Sequence, residues 1–329
     1  MMTKLIAIEE HFLTPAIRAA WAASTIGQEG TAAFDQGEIE ALLDDLGHRR
    51  LALMDESGVD VQVLSLTTPG LHNLDPEPSV SLARQTNDLL AATIAQHPTR
   101  FQGLATVPTA SPAHVAAELA RSVTQLGLKG AMLSGRTRAK NLDHPDFRPL
   151  FQEAATLGVP LFIHPQIPQQ AVREALYSGF GPAVDTAFAT FGLGWHYEAG
   201  IQFVRLVLAG VFDEYPDLQI ILGHWGEVVL FYLDRLAALG RVATLQRPIA
   251  DYFRQNLYVT SSGMWSQAYL QQALALVGPE RLLFSTDYPY QYKPGQPGRH
   301  FLAEAALSAD QQALFAHGNW ERLTRSTAQ

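Results

Sequence analysis

Residues 5–12 read LIAIEEHF, an apolar β pattern that runs directly into two carboxylates and an imidazole. Side chains two positions apart on a strand share a face, so Glu9 and His11 point together and Glu10 points away. If Ile8 and Glu10 pack outward against helices, Glu9 and His11 face inward at the end of the strand. The remaining sequence decides whether they form a solubilising patch, a polar pair in the core or a metal site.

Seven further β-rich runs follow, and helical patterns separate them. The runs are near-continuous apolar stretches, which is typical of parallel strands covered on both faces. Eight such strands alternating with helices predict an α/β fold, a (β/α)8 barrel with its active site at the C-terminal ends of the strands, and an open doubly wound sheet is the alternative. The predicted strands are residues 5–10, 61–66, 101–107, 128–134, 159–165, 218–226, 256–263 and 281–289. The predicted helices include residues 79–97, 111–127, 147–158, 197–216, 228–240 and 266–278.

The chain is long for a simple domain but within the range of one barrel with insertions. We expect a single domain over residues 1–329, with loop insertions at about 13–45 and 166–195 that interrupt the alternation. In a barrel, both insertions would lie at the C-terminal face, where the walls of an active site are built.

Composition limits the classes of function. The formal net charge of −9 argues against a nucleic-acid binder, because such a protein needs a basic surface to neutralise phosphates. The chain has no cysteine, so any metal must be bound by His, Asp and Glu. No apolar run reaches the roughly 18 residues of a membrane span, and the N-terminal sequence MMTKLIAIEEHF has no apolar run long enough for a secretion signal. We therefore expect a soluble cytoplasmic protein with no nucleic-acid or membrane partner.

Ionisable side chains stand at the ends of several predicted strands, and in a closed barrel these ends surround one cavity. Glu9, His11, His164 and Asp287 would supply two carboxylates and two imidazoles from three strands. Without thiolates, this set suits Zn²⁺, Mn²⁺ or another borderline divalent ion. A single histidine at a strand end is more often a satisfied polar residue than a ligand, but its recurrence at several strand ends favours a metal site.

A second group follows the sixth predicted strand, in the sequence GHWGE at residues 223–227. A carboxylate such as Glu227 beside His224 fixes the tautomer of the imidazole and lets it act as an acid or a base. The alternative is a packed histidine next to a carboxylate that complements a helix dipole. Arg235 lies two helical turns after Glu227 on roughly the same predicted face. It either pairs with the polar network of Glu227, binds an anionic substrate, or is a surface or interface arginine.

Most other histidines are expected outside the site. His196 is expected to pack in the core rather than to line the pocket. Tyr288, Tyr290 and Tyr292 are candidates to line an aromatic substrate pocket or to lie at a subunit contact. The histidines expected to be solvated are His48, His72, His97, His144, His300 and His317.

The motifs EEHF, FIHP, ILGHWGE and FSTDYP together resemble the amidohydrolase-2 group of the amidohydrolase superfamily. Within that group the chain is most similar to the non-oxidative hydroxybenzoate decarboxylases, such as the γ-resorcylate and 2,3-dihydroxybenzoate decarboxylases. The resemblance covers nearly the whole chain, and the Glu-x-His of the first strand is characteristic of this decarboxylase subgroup. It implies a distorted (β/α)8 barrel, one divalent metal ion and a homo-oligomer, either a homodimer or a homotetramer.

The resemblance also implies roles for particular residues. The metal ligands would be Glu9, His11, His164 and Asp287, and the catalytic pair would be His224 and Glu227, with Arg235 assisting substrate binding. The chain departs from γ-resorcylate decarboxylase-like members at Gly240, where those members have Asn, and in the 166–195 loop. Both departures concern the substrate more than the type of reaction.

The predicted activity is a metal-dependent carboxy-lyase reaction on a small hydroxylated aromatic carboxylate. Protonation of the ring carbon that bears the carboxylate, with Asp287 as the acid, would precede loss of CO₂. The alternative is a metal-dependent hydrolase of a lactone or amide, or a hydratase, in which the same ligands hold a water molecule. Zn²⁺ and Mn²⁺ are the predicted ions, and Mg²⁺ suits the histidines least because it prefers oxygen ligands.

Overall fold

The structure, a computed structural model, describes residues 3–24 and 35–325. Within these ranges all pairs of neighbouring strands are parallel. The predicted third run contains two short strands separated by Leu104, so the strands occupy eight positions around the fold. The strands are β1 (Ile6–Phe12), β2 (Val61–Leu66), β3 (Phe101–Gly103), β4 (Ala105–Thr106), β5 (Ala131–Ser134), β6 (Leu161–His164), β7 (Ile220–Leu222), β8 (Leu257–Thr260) and β9 (Leu282–Leu283).

The strands close into a ring. They form a sheet of order β1-β2-β3 and a sheet of order β4-β5-β6-β7-β8-β9. At one junction, the Leu104 nitrogen donates to the Leu64 oxygen at 2.9 Å. At the other, the Ile8 nitrogen donates to the Phe284 oxygen at 3.1 Å, beyond the last strand. The fold is therefore the predicted distorted (β/α)8 barrel and not the alternative open sheet.

The interior of the barrel is an apolar cluster to which every strand position contributes. The expectation that Ile8 packs outward is wrong, because Ile8 belongs to this interior cluster. The register of β1 against β2 shifts between Ala7 and Glu10, and such a bulge resets the alternation of faces. Glu9 and His11 consequently still reach the same cavity. The cluster comprises Ile6, Ile8, Val61, Val63, Leu104, Met132, Phe162, Ile221, Tyr258, Leu283 and Trp320.

The helices surround the strands. They are α1 (Pro15–Ala22), α2 (Gly37–Asp44), α3 (His48–Ser57), α4 (Pro76–Gln96), α5 (Pro112–Thr124), α6 (Arg148–Leu157), α7 (Gln170–Leu176), α8 (Pro182–Ala187), α9 (Gly194–Leu208), α10 (Val211–Glu214), α11 (His224–Glu227), α12 (Leu233–Ala237), α13 (Ile249–Asn256), α14 (Gln267–Val277), α15 (Pro297–Glu304), α16 (Ala309–Ala313) and α17 (Asn319–Leu323). Short 3₁₀ or π turns lie at Pro145–Phe147, Phe188–Gly192, Ala238–Arg241, Pro279–Arg281 and Leu314–Gly318. None of the described helices is long and apolar enough to span a membrane.

Three predicted elements differ from the structure for local reasons. The predicted helix 197–216 is divided between α9 and α10 at Gly210, whose φ is +69°. The predicted helix 228–240 is wrong at its start, because Val228 has a φ of +64° and regular helix begins only at Leu233. The predicted strand 281–289 ends after β9, where serine hydroxyls replace strand-to-strand hydrogen bonds.

The two predicted insertions differ in how far the structure describes them. The insertion at about 13–45 contains α1 and α2, and its residues 25–34 lie outside the described residues. The insertion at 166–195 contains α7, α8 and the turn Phe188–Gly192, and it reaches α9. That residues 1–329 form one domain remains a prediction.

Candidate active site

Four of the predicted site residues meet at the C-terminal end of the barrel. Glu9, His11, His164 and Asp287, here called the Glu9 cluster, are all buried, and one donor atom from each lies within 4.8 Å of the others. The His11 Nε2 atom is 3.3 Å from Asp287 Oδ1, and the His164 Nε2 atom is 3.7 Å from Glu9 Oε1. The barrel thus brings together two imidazoles and two carboxylates that are far apart in sequence.

The two carboxylate oxygens of Glu9 have different surroundings. Oε2 accepts hydrogen bonds from the hydroxyls of Thr260 at 3.0 Å, Ser285 at 3.3 Å and Ser262. Oε1 is buried and has no hydrogen-bond partner among the described residues. Burial is the main cause that raises the pKa of Glu9. The hydroxyls therefore fix the carboxylate and leave one oxygen free toward the other donors of the cluster.

The two histidines are oriented in the same way. The Nδ1 atom of His164 lies 2.9 Å from the carbonyl oxygen of Pro165, and that of His11 lies 3.4 Å from the hydroxyl of Ser65. Among the described residues, the buried Nε2 atom of His11 has no hydrogen-bond partner. Burial lowers the pKa of His164 to about 3, which keeps its ring neutral. Imidazoles anchored through Nδ1 present Nε2 toward a metal ion, so this donor set fits a divalent cation.

A buried polar network lies behind the Glu9 cluster and connects two of the three segments that carry its members, β1 and the segment around Asp287. The fully buried Arg50 donates to the carbonyl oxygen of His11 at 2.6 Å and lies 4.4 Å from the ring centre of Tyr288. The Glu10 carboxylate accepts from the backbone nitrogen of Thr286 at 2.8 Å and from its hydroxyl at 2.5 Å. Burial raises the pKa of Glu10 to about 8. Glu10 points away from the cavity, as predicted, and its hydrogen bonds connect β1 to Thr286, the residue before Asp287.

The GHWGE motif adopts a left-handed turn that the sequence analysis did not predict. Residues 224–228 all have positive φ, and four of these five residues are not glycine. Left-handed backbone costs roughly 1 kcal/mol or more for each such residue, and this strain is concentrated at functional sites. A Cβ atom on the preceding Gly223 would lie 2.9 Å from Glu9 Oε1 and 3.1 Å from Glu227 Oε1. Glycine therefore allows the turn to approach the Glu9 cluster.

The turn places His224 and Glu227 beside a third residue, His196, and we call these three the Glu227 cluster. The His224 and His196 Nδ1 atoms each lie 2.7 Å from a different oxygen of Glu227. Burial alone would raise the pKa of Glu227, but the two imidazoles lower it to about 2. Burial would lower the pKa of His224, yet the carboxylates of Glu227, Asp287 and Glu9 together outweigh it and raise that pKa well above its usual value. The His224 Nε2 atom lies 3.7 Å from Asp287 Oδ2, which links the two clusters.

Two expectations about histidines are wrong. His196 lines the cavity instead of packing in the core, and the signal for this was its position at the end of the 166–195 insertion. His72 is 1% exposed rather than solvated, and its Nε2 atom accepts a hydrogen bond from the Ser134 nitrogen at 3.0 Å. Burial lowers the pKa of His72 to about 3.

Arg235 does not reach the site within one chain. It is exposed on α12, and it is not among the described residues that line the cavity. The prediction that Arg235 shares a face with Glu227 depends on one continuous helix over residues 228–240. The left-handed turn breaks that helix, so the spacing of eight residues no longer aligns the two side chains.

Both clusters open into one cavity of about 930 Å³. Its described lining contains no lysine and no arginine, so imidazoles are the basic side chains of the described lining. Of the three tyrosines proposed for the pocket, Tyr290 lines the cavity, whereas Tyr288 packs against Arg50 and the Tyr292 hydroxyl donates to Glu56 at 2.6 Å. Aromatic rings make up much of the wall: Phe191, Trp195, Tyr197, Phe231, Tyr232 and Tyr269.

A sequence profile described as "Amidohydrolase" matches residues 26–325. The chain belongs to the amidohydrolase family. It is 35% identical to the gamma-resorcylate decarboxylase of Rhodococcus jostii, over 87% of this chain and 88% of that protein. The predicted family and the predicted class of aromatic acid decarboxylase are confirmed.

Solved structures agree with this assignment. The 5-carboxyvanillate decarboxylase LigW of Sphingomonas paucimobilis is 34% identical, with a TM-score of 0.90 over 99% of this chain and 100% of that one. A 5-carboxyvanillate decarboxylase of Novosphingobium aromaticivorans, in complex with manganese and 4-hydroxy-3-methoxy-5-nitrobenzoic acid, is 30% identical. Its TM-score is 0.88 over 98% of this chain and 96% of that one. The fold of this chain therefore matches two aromatic acid decarboxylases, one of which was solved with manganese and an aromatic carboxylic acid.

Proposed function

We propose that this chain decarboxylates an ortho-hydroxybenzoate, without oxidation, using one divalent metal ion. The observation that carries the proposal is the junction of the two clusters at Asp287, inside an aromatic-walled cavity. Asp287 is at once a member of the Glu9 cluster and 3.7 Å from His224. A flat aromatic acid fits such a wall, and its hydroxyl and carboxylate oxygens match an ion held by the Glu9 cluster.

Glu9, His11, His164 and Asp287 would hold the ion, and the free Glu9 Oε1 and His11 Nε2 atoms support this assignment. When bound, the ion supplies a Lewis acid that stabilises the phenolate form of the substrate. Two imidazole nitrogens favour Zn²⁺ or Mn²⁺ over Mg²⁺.

Asp287, His224 and Glu227 would move or hold protons during the reaction. Burial alone would raise the pKa of Asp287, but the imidazoles of His11 and His224 lower it below its usual range, so its carboxyl is ionised in the free protein. The nearby His224 Nε2 would therefore first pass a proton to Asp287, and Asp287 would deliver it to the ring carbon that bears the carboxylate. Glu227 would hold the His224 ring through Nδ1 at 2.7 Å. The bond from the ring to the carboxylate then breaks, its electron pair restores the aromatic ring, and CO₂ leaves. Arg235 would have no contact with substrate within one chain, because its side chain is exposed outside the cavity.

The test is a decarboxylation screen with purified protein. The protein is stripped with a chelator, resupplied with Zn²⁺ or Mn²⁺, and mixed with a panel of ortho-hydroxybenzoates, while chromatography follows the loss of acid and the formation of phenol. Phenol release that needs the metal supports the proposal. If no acid in the panel reacts while the metal is bound, the proposal fails, and metal-assisted hydrolysis of lactones and amides becomes the reaction to test.

We also expect a homodimer or a homotetramer. Aromatic side chains at the cavity mouth support this expectation, because Phe191 is 57% exposed and Phe231 is 71% exposed. Exposed apolar groups that cluster at one surface are typical of protein interfaces. Light scattering of the metal-loaded protein would measure the mass, and a monomer would contradict the expectation. A cytoplasmic location remains a prediction.

A further inference from the structure

His196 contacts the reaction machinery indirectly, through Glu227. It lies near the start of α9, directly after the turn Phe188–Gly192 that walls the cavity. Its Nδ1 atom is 2.7 Å from Glu227 Oε2, while His224 Nδ1 is 2.7 Å from Glu227 Oε1. Glu227 therefore joins two imidazoles, one facing Asp287 and the other facing the cavity wall.

This double contact restricts the orientation of Glu227. A carboxylate held at one oxygen can still rotate about its terminal bond, whereas one held at both oxygens has a single orientation. The side chain of Glu227 is fully buried, so water does not readily replace a lost donor. A buried acceptor that loses its donor costs roughly 1–3 kcal/mol, and more when it is charged. Loss of His196 should therefore let Glu227 turn away from its present position and release His224.

The protein also fixes His196 itself. Its Nε2 atom lies 3.1 Å from the carbonyl oxygen of Phe191 and 3.3 Å from Trp195 Nε1. Its ring centre lies 4.5 Å from that of His224, at an angle of 63°. Contacts with the 166–195 insertion, made through His196, therefore help to set the orientation of Glu227.

We propose that His196 is a positioning residue for the decarboxylation, acting through Glu227 to hold the imidazole of His224 toward Asp287. This inference rests on the function proposed above for the same site. Binding of a second metal ion by the Glu227 cluster is the competing interpretation, since its three donors also lie within 4.8 Å of one another. The hydrogen-bond geometry favours positioning, because each oxygen of Glu227 already has an imidazole nitrogen at 2.7 Å.

The experiment compares two substitutions in the metal-loaded full chain. His196→Leu removes the donor, whereas His196→Asn keeps an N–H at the place of Nδ1. We expect His196→Leu to lower kcat by about 10- to 100-fold, the loss typical of removing a group that orients a functional side chain. KM should stay within about threefold, and His196→Asn should restore most of kcat. His114→Leu, at an exposed histidine on α5 whose Nδ1 contacts a serine hydroxyl, is the matched control and should leave kcat unchanged.

A double-substitution cycle separates positioning from a general structural role. If His196 acts through Glu227, then His196→Leu should have little further effect on kcat in a Glu227→Gln background. An additive loss in the double variant would overturn the inference. So would a normal kcat in His196→Leu, an Asn variant as impaired as the Leu variant, or two bound ions per chain in the wild type.

Nitrogen-15 resonances of labelled histidines make the test independent of turnover. In the wild type, the His224 resonances should report a proton on Nδ1, and His196→Leu should shift them while His196→Asn should not. If the wild type decarboxylates no ortho-hydroxybenzoate, the proposed function fails, but these resonances still decide the positioning role. His224 resonances that are identical in wild type and His196→Leu would overturn it.

Discussion

The Glu9 cluster and the Glu227 cluster share one cavity and differ in how their buried polar atoms are satisfied. In the Glu9 cluster, Glu9 Oε1 and His11 Nε2 lack hydrogen-bond partners among the described residues. In the Glu227 cluster, both oxygens of Glu227 have imidazole nitrogens at 2.7 Å. Unsatisfied buried polar atoms are costly and uncommon in folded proteins. The first cluster therefore fits a group that the described residues do not supply, whereas the second is satisfied by interactions within the chain.

The largest effect should come from Asp287, which belongs to one cluster and contacts the other. Asp287→Asn keeps an oxygen ligand but removes the acid, so we expect kcat to fall by about 10³-fold or more while the metal stays bound. Steady-state kinetics and elemental analysis on the same sample measure the two quantities. Asp234→Asn, at an exposed carboxylate on α12, is the control. An active Asn variant with metal bound would remove Asp287 from the acid role.

Metal binding at the Glu9 cluster should also raise the free energy of unfolding. A ligand at about 100 times its Kd raises the free energy of unfolding by about 2.7 kcal/mol. We expect that gain when Mn²⁺ is added to the wild type, and we expect none for His164→Ala, which loses one imidazole of the Glu9 cluster. Denaturant unfolding with and without Mn²⁺ gives both values, and His114→Ala should behave as the wild type does. A full Mn²⁺ response in His164→Ala would exclude His164 as a ligand.

Glu227→Gln should leave metal binding intact and reduce turnover, because it changes only the cluster that is satisfied within the chain. We expect kcat to fall by about 10- to 100-fold, with the Mn²⁺-dependent stabilisation equal to that of the wild type. Both measurements use the assays above. Loss of the Mn²⁺ response in this variant would mean that the two clusters are not separate in function.

His72 provides a reference outside both clusters, since its ring contacts a backbone amide rather than a carboxylate. Its folded-state pKa of about 3 lies below the usual 6.5, so the unfolded chain binds the extra proton between these values. Stability should therefore fall as the pH drops from 6.5 toward 3, by up to about 1.4 kcal/mol per pH unit from this residue. His72→Gln should reduce that slope in denaturant unfolding, and an unchanged slope would contradict the assignment.

The sequence was sufficient to predict the barrel and the Glu9 cluster, because both follow from residue types at the ends of β-rich runs. His164 lies near the end of the fifth run, and Asp287 lies near the end of the eighth. Parallel strands bring such ends to one edge of the barrel. The backbone irregularities were not predictable from periodicity. The bulge in β1 placed Ile8 inside the barrel, and the left-handed turn after Gly223 moved Arg235 away from the cavity. His196 was assigned to the core because its position beside the 166–195 insertion does not by itself reveal the contact with Glu227, which depends on the packing of α9 beside that turn.

The most direct test of the account is a titration of the metal-free protein with Mn²⁺, in which turnover of an ortho-hydroxybenzoate and bound metal are measured together. If only the Glu9 cluster binds a metal ion, activity should rise with added Mn²⁺ and reach its plateau at one ion per chain. Turnover in the metal-free protein, or a plateau at two ions per chain, would contradict the distinction between the two clusters.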